Sequence, residues 1–157
     1  MGAFEAYPLI TPFLWFDGNA EEAAEFYVSV FPNSRVLDVV RATSAGPGPE
    51  GSVVTISFEL DGLKFTGLNG GPHFPFTNAV SFVVRCETQE QVDHYWEKLG
   101  EGGKEIQCGW VTDQFGLAWQ VTPAGIHEWI RKPKAMRAMM GMKKLVIAEL
   151  KAAAEDD

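Results

Sequence analysis

The feature that most constrains this chain is an internal repeat. Asn19-Ala20-Glu21-Glu22 opens a run that ends on Phe26-Tyr27, and Thr88-Gln89-Glu90-Gln91 opens a second that ends on Tyr95-Trp96. An apolar stretch of strand character precedes each run, Ile10 to Phe16 and Ala79 to Val84. A Gly-Leu segment closes each, Gly62-Leu63-Lys64-Phe65-Thr66 and Gly116-Leu117-Ala118-Trp119-Gln120. A duplicated strand–helix–strands unit predicts two half-domains that face each other across a cavity. The repeat then acts as a ruler, because equivalent positions of the two halves look into the same space.

Local signals fill in the plan. Residues 8 to 16 read as a buried strand, a short apolar run rich in β-branched and aromatic types. Asn19 is a good helix N-cap, and Glu22 completes a capping box. Ala23, Phe26, Tyr27 and Val30 recur at helical spacing, and Pro32-Asn33 ends that helix. Strands are predicted over 35–43, 53–60 and 63–68, with a Gly/Pro loop at 44–52 and a hairpin turn at Asp61-Gly62. A linker, 69–77, separates the halves. The second half predicts a strand at 79–86, a helix at 88–99 and strands at 104–112 and 117–122. A last helix, about 134 to 153, carries Met136, Met139, Met140, Ile147 and Leu150 on one side. The fold class is therefore α+β, a βαβββ plan used twice plus a C-terminal helix. One domain is expected over residues 1–157, with module one at about 8–69 and module two at about 78–122. Short turns join the last strands of each half, which disfavours a parallel α/β sheet.

Bulk properties exclude some functions. A chain of 157 residues suffices for one domain with a real core. A formal charge of −8 argues against nucleic acid, whose phosphates require a basic face. The basic residues that gather late, from Arg131 to Lys144, read as a solvated helix face. Cys86 and Cys108 do not make a disulfide framework. No signal peptide or membrane-length apolar run is legible, so a cytoplasmic protein without a membrane partner is expected.

Four stretches carry a family resemblance. They are Ile10-Thr-Pro-Phe-Leu-Trp-Phe-Asp-Gly-Asn-Ala-Glu-Glu-Ala, Glu25-Phe-Tyr, Asp113-Gln-Phe-Gly-Leu-Ala-Trp-Gln-Val and Ala138-Met-Met-Gly-Met-Lys-Lys. With paired βαβββ modules, they make the chain resemble the vicinal oxygen chelate superfamily of glyoxalase I, extradiol dioxygenases and bleomycin-resistance proteins. Within it the chain resembles the PhnB-like branch, which often carries the label 3-demethylubiquinone-9 3-methyltransferase. The resemblance implies a cavity for a small organic molecule and a homodimer, with the final helix a contributor to the subunit contact.

The resemblance also implies where a divalent metal would sit in metal-using relatives. Their ligands lie about seven residues before each helix cap and about four beyond each turn glycine. Those counts give Pro12, Thr66, Ser81 and Gln120 here. Proline has no ligating side chain, and neutral hydroxyls with one amide make a weak set. A slip of one residue offers Thr11 or Phe13 at the first strand and Val80 or Phe82 at the second, which is no better. His73, His94 and His127 fall in the linker, in the second helix and beyond the last strand. No metal and no cofactor are expected. Thr66, Ser81 and Gln120 remain as polar anchors of a ligand pocket, with Trp110 on its wall and His73 in a loop at its mouth.

Other chemistries find little support. Gly67-Leu-Asn-Gly-Gly71 follows a strand, but Pro72, Phe74 and Pro75 come next rather than a helix, so it is no methyl-donor cradle. No Gly-x-Ser-x-Gly elbow occurs. Asp113 reads as a turn residue bonding its own backbone, with an acid–base role the minority view. The leading expectation is a metal-independent binder of a small organic ligand. The alternative is a superfamily enzyme: an isomerase, a lyase, a dioxygenase or the labelled methyltransferase.

Overall fold

The computed structural model describes residues 4–156. They form two compact units that divide after Pro75, inside the predicted linker. The N-terminal unit contains β1 (Phe13–Phe16), α1 (Ala20–Val30), β2 (Arg35–Arg41), β3 (Val53–Leu60) and β4 (Leu63–Asn69). Its sheet runs β1-β4-β3-β2, with β1 parallel to β4 and the other pairs antiparallel. The second unit repeats this with β5 (Ser81–Cys86), α2 (Gln89–Gly100), β6 (Lys104–Glu105), β7 (Trp110–Thr112) and β8 (Ala118–Pro123), ordered β5-β8-β7-β6. The α+β fold class and the doubled βαβββ plan hold.

Alternation decides which face of each sheet meets its helix. In the N-terminal unit Leu14, Phe16, Ile56, Phe58 and Phe65 are buried on the α1 side, against Ala20, Ala23, Ala24 and Tyr27. Tyr27 stacks on Phe58 at 6.1 Å between ring centroids, and Phe58 on Phe65 at 5.4 Å. The alanines let the helix sit close: a Cβ on Gly67 would meet Phe16, Ala20 and Ile56 at 3.3 to 3.5 Å. In the second unit Val84, Cys86, Trp119 and Val121 back onto Val92, Trp96 and Leu99 of α2. Each fully buried large side chain contributes roughly 1.5–3 kcal/mol. The Asp61-Gly62 turn has φ of +46° and +87°, the left-handed pair that a two-residue hairpin turn requires.

Three elements depart from the sequence reading. The strand predicted over 8–16 starts only at Phe13, after a 3-10 turn at Phe4–Ala6. Pro8 and Pro12 have no amide to donate to a ladder. The Pro12 carbonyl still accepts from Thr66 N at 3.0 Å, while Leu9 and Ile10 stay exposed. The single strand predicted over 104–112 is a hairpin, β6 and β7, turned through Cys108 and Gly109 at φ of +63° and +81°. That turn supplies the third closing strand of module two, and no turn dipeptide advertised it.

The third departure is the last helix. The region is helical but broken into α4 (Pro133–Met140) and α5 (Ile147–Glu155), preceded by the short α3 (Ile126–Trp129). Gly141 caps α4, and the chain beyond it is drawn onto the β6–β7 turn. Cys108 N donates to Met142 O and Gly109 N to Lys143 O, both at 2.8 Å. The Gln89 amide then holds Leu145 O and Ile147 N at 3.0 and 2.8 Å. Leu145 and Leu150 are buried with Ile126 in a satellite core.

The two helix starts also differ. At α2 a side-chain cap forms, with Gln91 N donating to Thr88 Oγ1 at 3.2 Å. At α1 the predicted capping box does not. Asn19 has ψ of 25° and makes no side-chain cap bond. Asn69 replaces it, accepting from Ala20 N at 2.9 Å and donating to Val53 O at 3.0 Å. Asn69→Ala is expected to lower stability by about 1–2 kcal/mol in urea unfolding, and Asn19→Ala by less than about 0.5 kcal/mol.

Candidate functional site

Strand register builds the site. Thr66 lies opposite Phe13 on one side and Ser57 on the other, and Ser57 lies opposite Asp38. Registered side chains share a face, so Asp38, Ser57, Thr66 and Phe13 form a row across all four strands, on the face away from α1. Ser57 Oγ and Thr66 Oγ1 are hydrogen-bonded at 3.0 Å. The segment before β1 runs beside this row and borders an open cavity of about 600 Å³. Phe4, Tyr7, Leu9 and Thr11 line it from that segment, and Val40 and Thr55 from the strands.

Two side chains in this wall have polar atoms that the protein leaves without a partner. Tyr7 OH and Thr11 Oγ1 are buried and accept or donate no hydrogen bond within the described residues. An unpaired buried hydroxyl costs about 1–3 kcal/mol, so native proteins complete such groups with water or ligand. Tyr7 is held from its other faces. Phe4 packs on its ring at 5.7 Å, and Lys64 Nζ stands 5.7 Å over it while Glu59 accepts from that ammonium at 3.5 Å.

The equivalent face of the second sheet carries Ser81, Val83, Gln120 and Trp110. Gln120 Nε2 donates to Ser81 Oγ at 2.9 Å, and Trp110 lies opposite Gln120 in register. Gln120 corresponds to Thr66. Register shows that its first-strand neighbour is Val83, as Phe13 is for Thr66. The position counted as Pro12 is therefore off by one: Pro12 lies just before β1 and does not line the cavity, whereas Thr11 and Phe13 do. Neither completes a metal site. Among the described residues no three His, Cys, Asp or Glu side chains come together as ligands for an ion. Hydroxyls and one amide are poor donors for a divalent cation, so the residues at these positions do not fit the metal that the sequence resemblance implies.

His73 lies elsewhere. It is exposed on the linker, edge-on to Trp15 at 6.5 Å, and does not line the cavity. Trp15 anchors that linker, with Nε1 donating to Gly71 O at 2.8 Å and Phe74 packed edge-on at 4.9 Å. Asp113 is a buried structural carboxylate. It accepts from Trp119 Nε1 at 2.8 Å, Phe115 N at 2.8 Å and Leu117 N at 3.1 Å, and so fixes the β7–β8 turn.

Burial pushes the Cys86 thiol up to about 11 from its ordinary 9.0, aided by the nearby Glu87 carboxylate. The folded state thus keeps a proton that the unfolded chain releases above pH 9, and stability must fall as pH rises from about 9 to 11. Urea midpoints across that range should drop less in Cys86→Ala, referenced to its own pH 8 value, than in the parent chain.

Sequence reasoning overlooked Tyr7, Asp38 and Ser57, and weighed Thr11 only as a slip. One available signal was the polar alternation Thr55, Ser57, Glu59 on an otherwise apolar strand.

Comparison with known proteins now adds to the geometry. The family model described as 3-demethylubiquinone-9 3-methyltransferase matches residues 8–122. The chain belongs to this PhnB-like family. The PhnB protein from Bacillus cereus is 37% identical, over 74% of this chain and 100% of that one, with a TM-score of 0.69. A Pseudomonas aeruginosa protein shares the fold at 19% identity, covering 74% and 98% of the two chains, with a TM-score of 0.61. The fosfomycin resistance protein FosX from Listeria monocytogenes does so at 17%, covering 78% and 96%, with a TM-score of 0.55. These likenesses show that the PhnB-like chain shares its doubled βαβββ fold with a fosfomycin resistance protein. No curated protein matches it. The family match ends before α3, so α3 to α5 lie outside it. No helix among the described residues is long and apolar enough to cross a membrane.

Proposed function

We propose that this PhnB-like protein binds a small organic molecule, without a metal, on the sheet face of its N-terminal unit that carries Thr66. The observation that carries the reading is the pair of buried hydroxyls, Tyr7 OH and Thr11 Oγ1, left unpaired in the wall of a cavity of about 600 Å³. A cavity of that size, apolar with a few convergent polar groups, suits a small-molecule ligand. Thr66 and Ser57 supply the floor, and Tyr7 and Thr11 the hydrogen bonds that orient the guest. Ser81, Gln120 and Trp110 present the equivalent face in the second sheet and are proposed as contacts of a ligand surface of that unit's own. His73 is at most a peripheral contact through Trp15.

Sequestration needs no catalytic group, which suits a cavity whose described polar side chains are hydroxyls and the single carboxylate of Asp38. The exposed apolar side chains Leu9, Ile10, Phe13 and Val40 support a homodimer in which a second copy covers part of this surface.

A thermal-shift screen of small organic compounds in excess chelator tests the reading. A ligand at one hundred times its Kd should add about 2.7 kcal/mol, roughly 5–10 °C in Tm. Stabilisation that appears only after a divalent metal is restored would instead favour a superfamily enzyme.

A further inference from the structure

We propose that the ligand of the N-terminal cavity is an organic cation, an apolar body bearing a protonated amine that meets Asp38. This rests on the binding reading above and adds the chemical class of the guest. Among the described residues that line the cavity, Asp38 is the one charged side chain, and none is a lysine or arginine. Its carboxylate makes no ion pair among the described residues, whereas nearby acids are engaged: Glu59 with Arg35 and Lys64, and Glu21 with Arg41. Asp38 stands beside Ser57 in register, one end of the row that runs through Thr66. An ionised carboxylate only accepts hydrogen bonds, so its complement is a donor, and an ammonium is the strongest.

The rest of the wall agrees. Phe4, Tyr7 and Phe13 offer aromatic faces, which attract cations by their quadrupole and also suit an apolar body. Tyr7 OH and Thr11 Oγ1 take either a donor or an acceptor, so they do not oppose an amine. A carboxylate or phosphonate guest would face Asp38 with no cation among the described lining residues to compensate, since Lys64, over the Tyr7 ring, is engaged by Glu59. Another cavity of this unit, about 590 Å³ beside Arg41, does not offer the opposite chemistry. Arg41 is already committed to Glu21 at 3.6 Å and to Gly51 O at 3.1 Å.

The test uses three probes with one body and different heads: phenylbutylamine, phenylbutanol and phenylbutyrate. Each is titrated into the full chain in chelator at low salt, followed by amide NMR shifts. Phenylbutylamine should bind at least about tenfold tighter than phenylbutyrate. Asp38→Asn should remove that preference. Asp61→Asn makes the same charge change at the exposed β3–β4 turn and should leave the preference intact, which separates local recognition from the overall negative charge. Phenylbutyrate or phenylbutanol binding as tightly as the amine, or an unchanged ratio in Asp38→Asn, overturns the cation inference and leaves the binding reading standing. Failure of all three probes to move the Tyr7 and Thr11 resonances at millimolar concentration brings down both.

Discussion

Asp113→Ala is expected to destabilise the protein by about 3 kcal/mol or more, a fall in Tm of roughly 6–12 °C. The substitution removes the acceptor of three donors at once, Trp119 Nε1 and the amides of Phe115 and Leu117. Hydrogen bonds to a charged acceptor contribute about 1.5–3 kcal/mol each, and the buried indole N–H would find no water. Asp113→Asn should lie between, losing about 1–2 kcal/mol, because its amide oxygen still serves the turn while its NH₂ opposes the indole. Tryptophan fluorescence in urea measures both. A carboxylate kept for acid–base chemistry would give the reverse pattern, an asparagine variant of native stability.

The second large effect has opposite signs in two assays. Tyr7→Phe and Thr11→Val remove hydroxyls that the fold does not use. The ligand-free protein should therefore keep its stability or gain up to about 1 kcal/mol, since an unsatisfied buried group disappears at nearly constant shape. Affinity for a cavity ligand should fall about tenfold for each variant, the loss of about 1.4 kcal/mol from one orienting hydrogen bond. Urea unfolding and calorimetric titration of the same two variants check this. Hydroxyls that served only the fold would lower stability and leave affinity alone.

Most of the architecture was legible in the sequence because alternation and helical spacing reflect burial directly. β3 was predicted at its observed bounds, Val53–Leu60, and the Asp61-Gly62 turn announces the hairpin that places Thr66. Legibility failed where a partner distant in sequence decides local structure. Asn19 has the composition of a cap, but Asn69, at the far end of β4, takes its place. The break between α4 and α5 is set by backbone bonds to Cys108 and Gly109, which nothing near Gly141 encodes.

The site was half legible for the same reason. Thr66 and Gln120 could be counted from turn glycines, because turns are short and rigid. The count into the first strand slipped at Pro12, where a proline-bounded segment departs from strand geometry before β1 begins. That segment is also what carries Tyr7 over the sheet, so one irregularity hid both the register and the orphan hydroxyls. Asp38 was invisible because a bulge between Val36 and Asp38 shifts its pairing on β2.

The account turns on where a ligand binds and whether a metal is needed. Amide shift mapping in excess chelator, with any compound that raises Tm, addresses both at once. The predicted result is saturable shifts centred on Tyr7, Thr11, Asp38, Ser57 and Thr66, unchanged when divalent metal is added. Shifts that centre on Arg41 and Gly48 instead, or that appear only with metal, would contradict it.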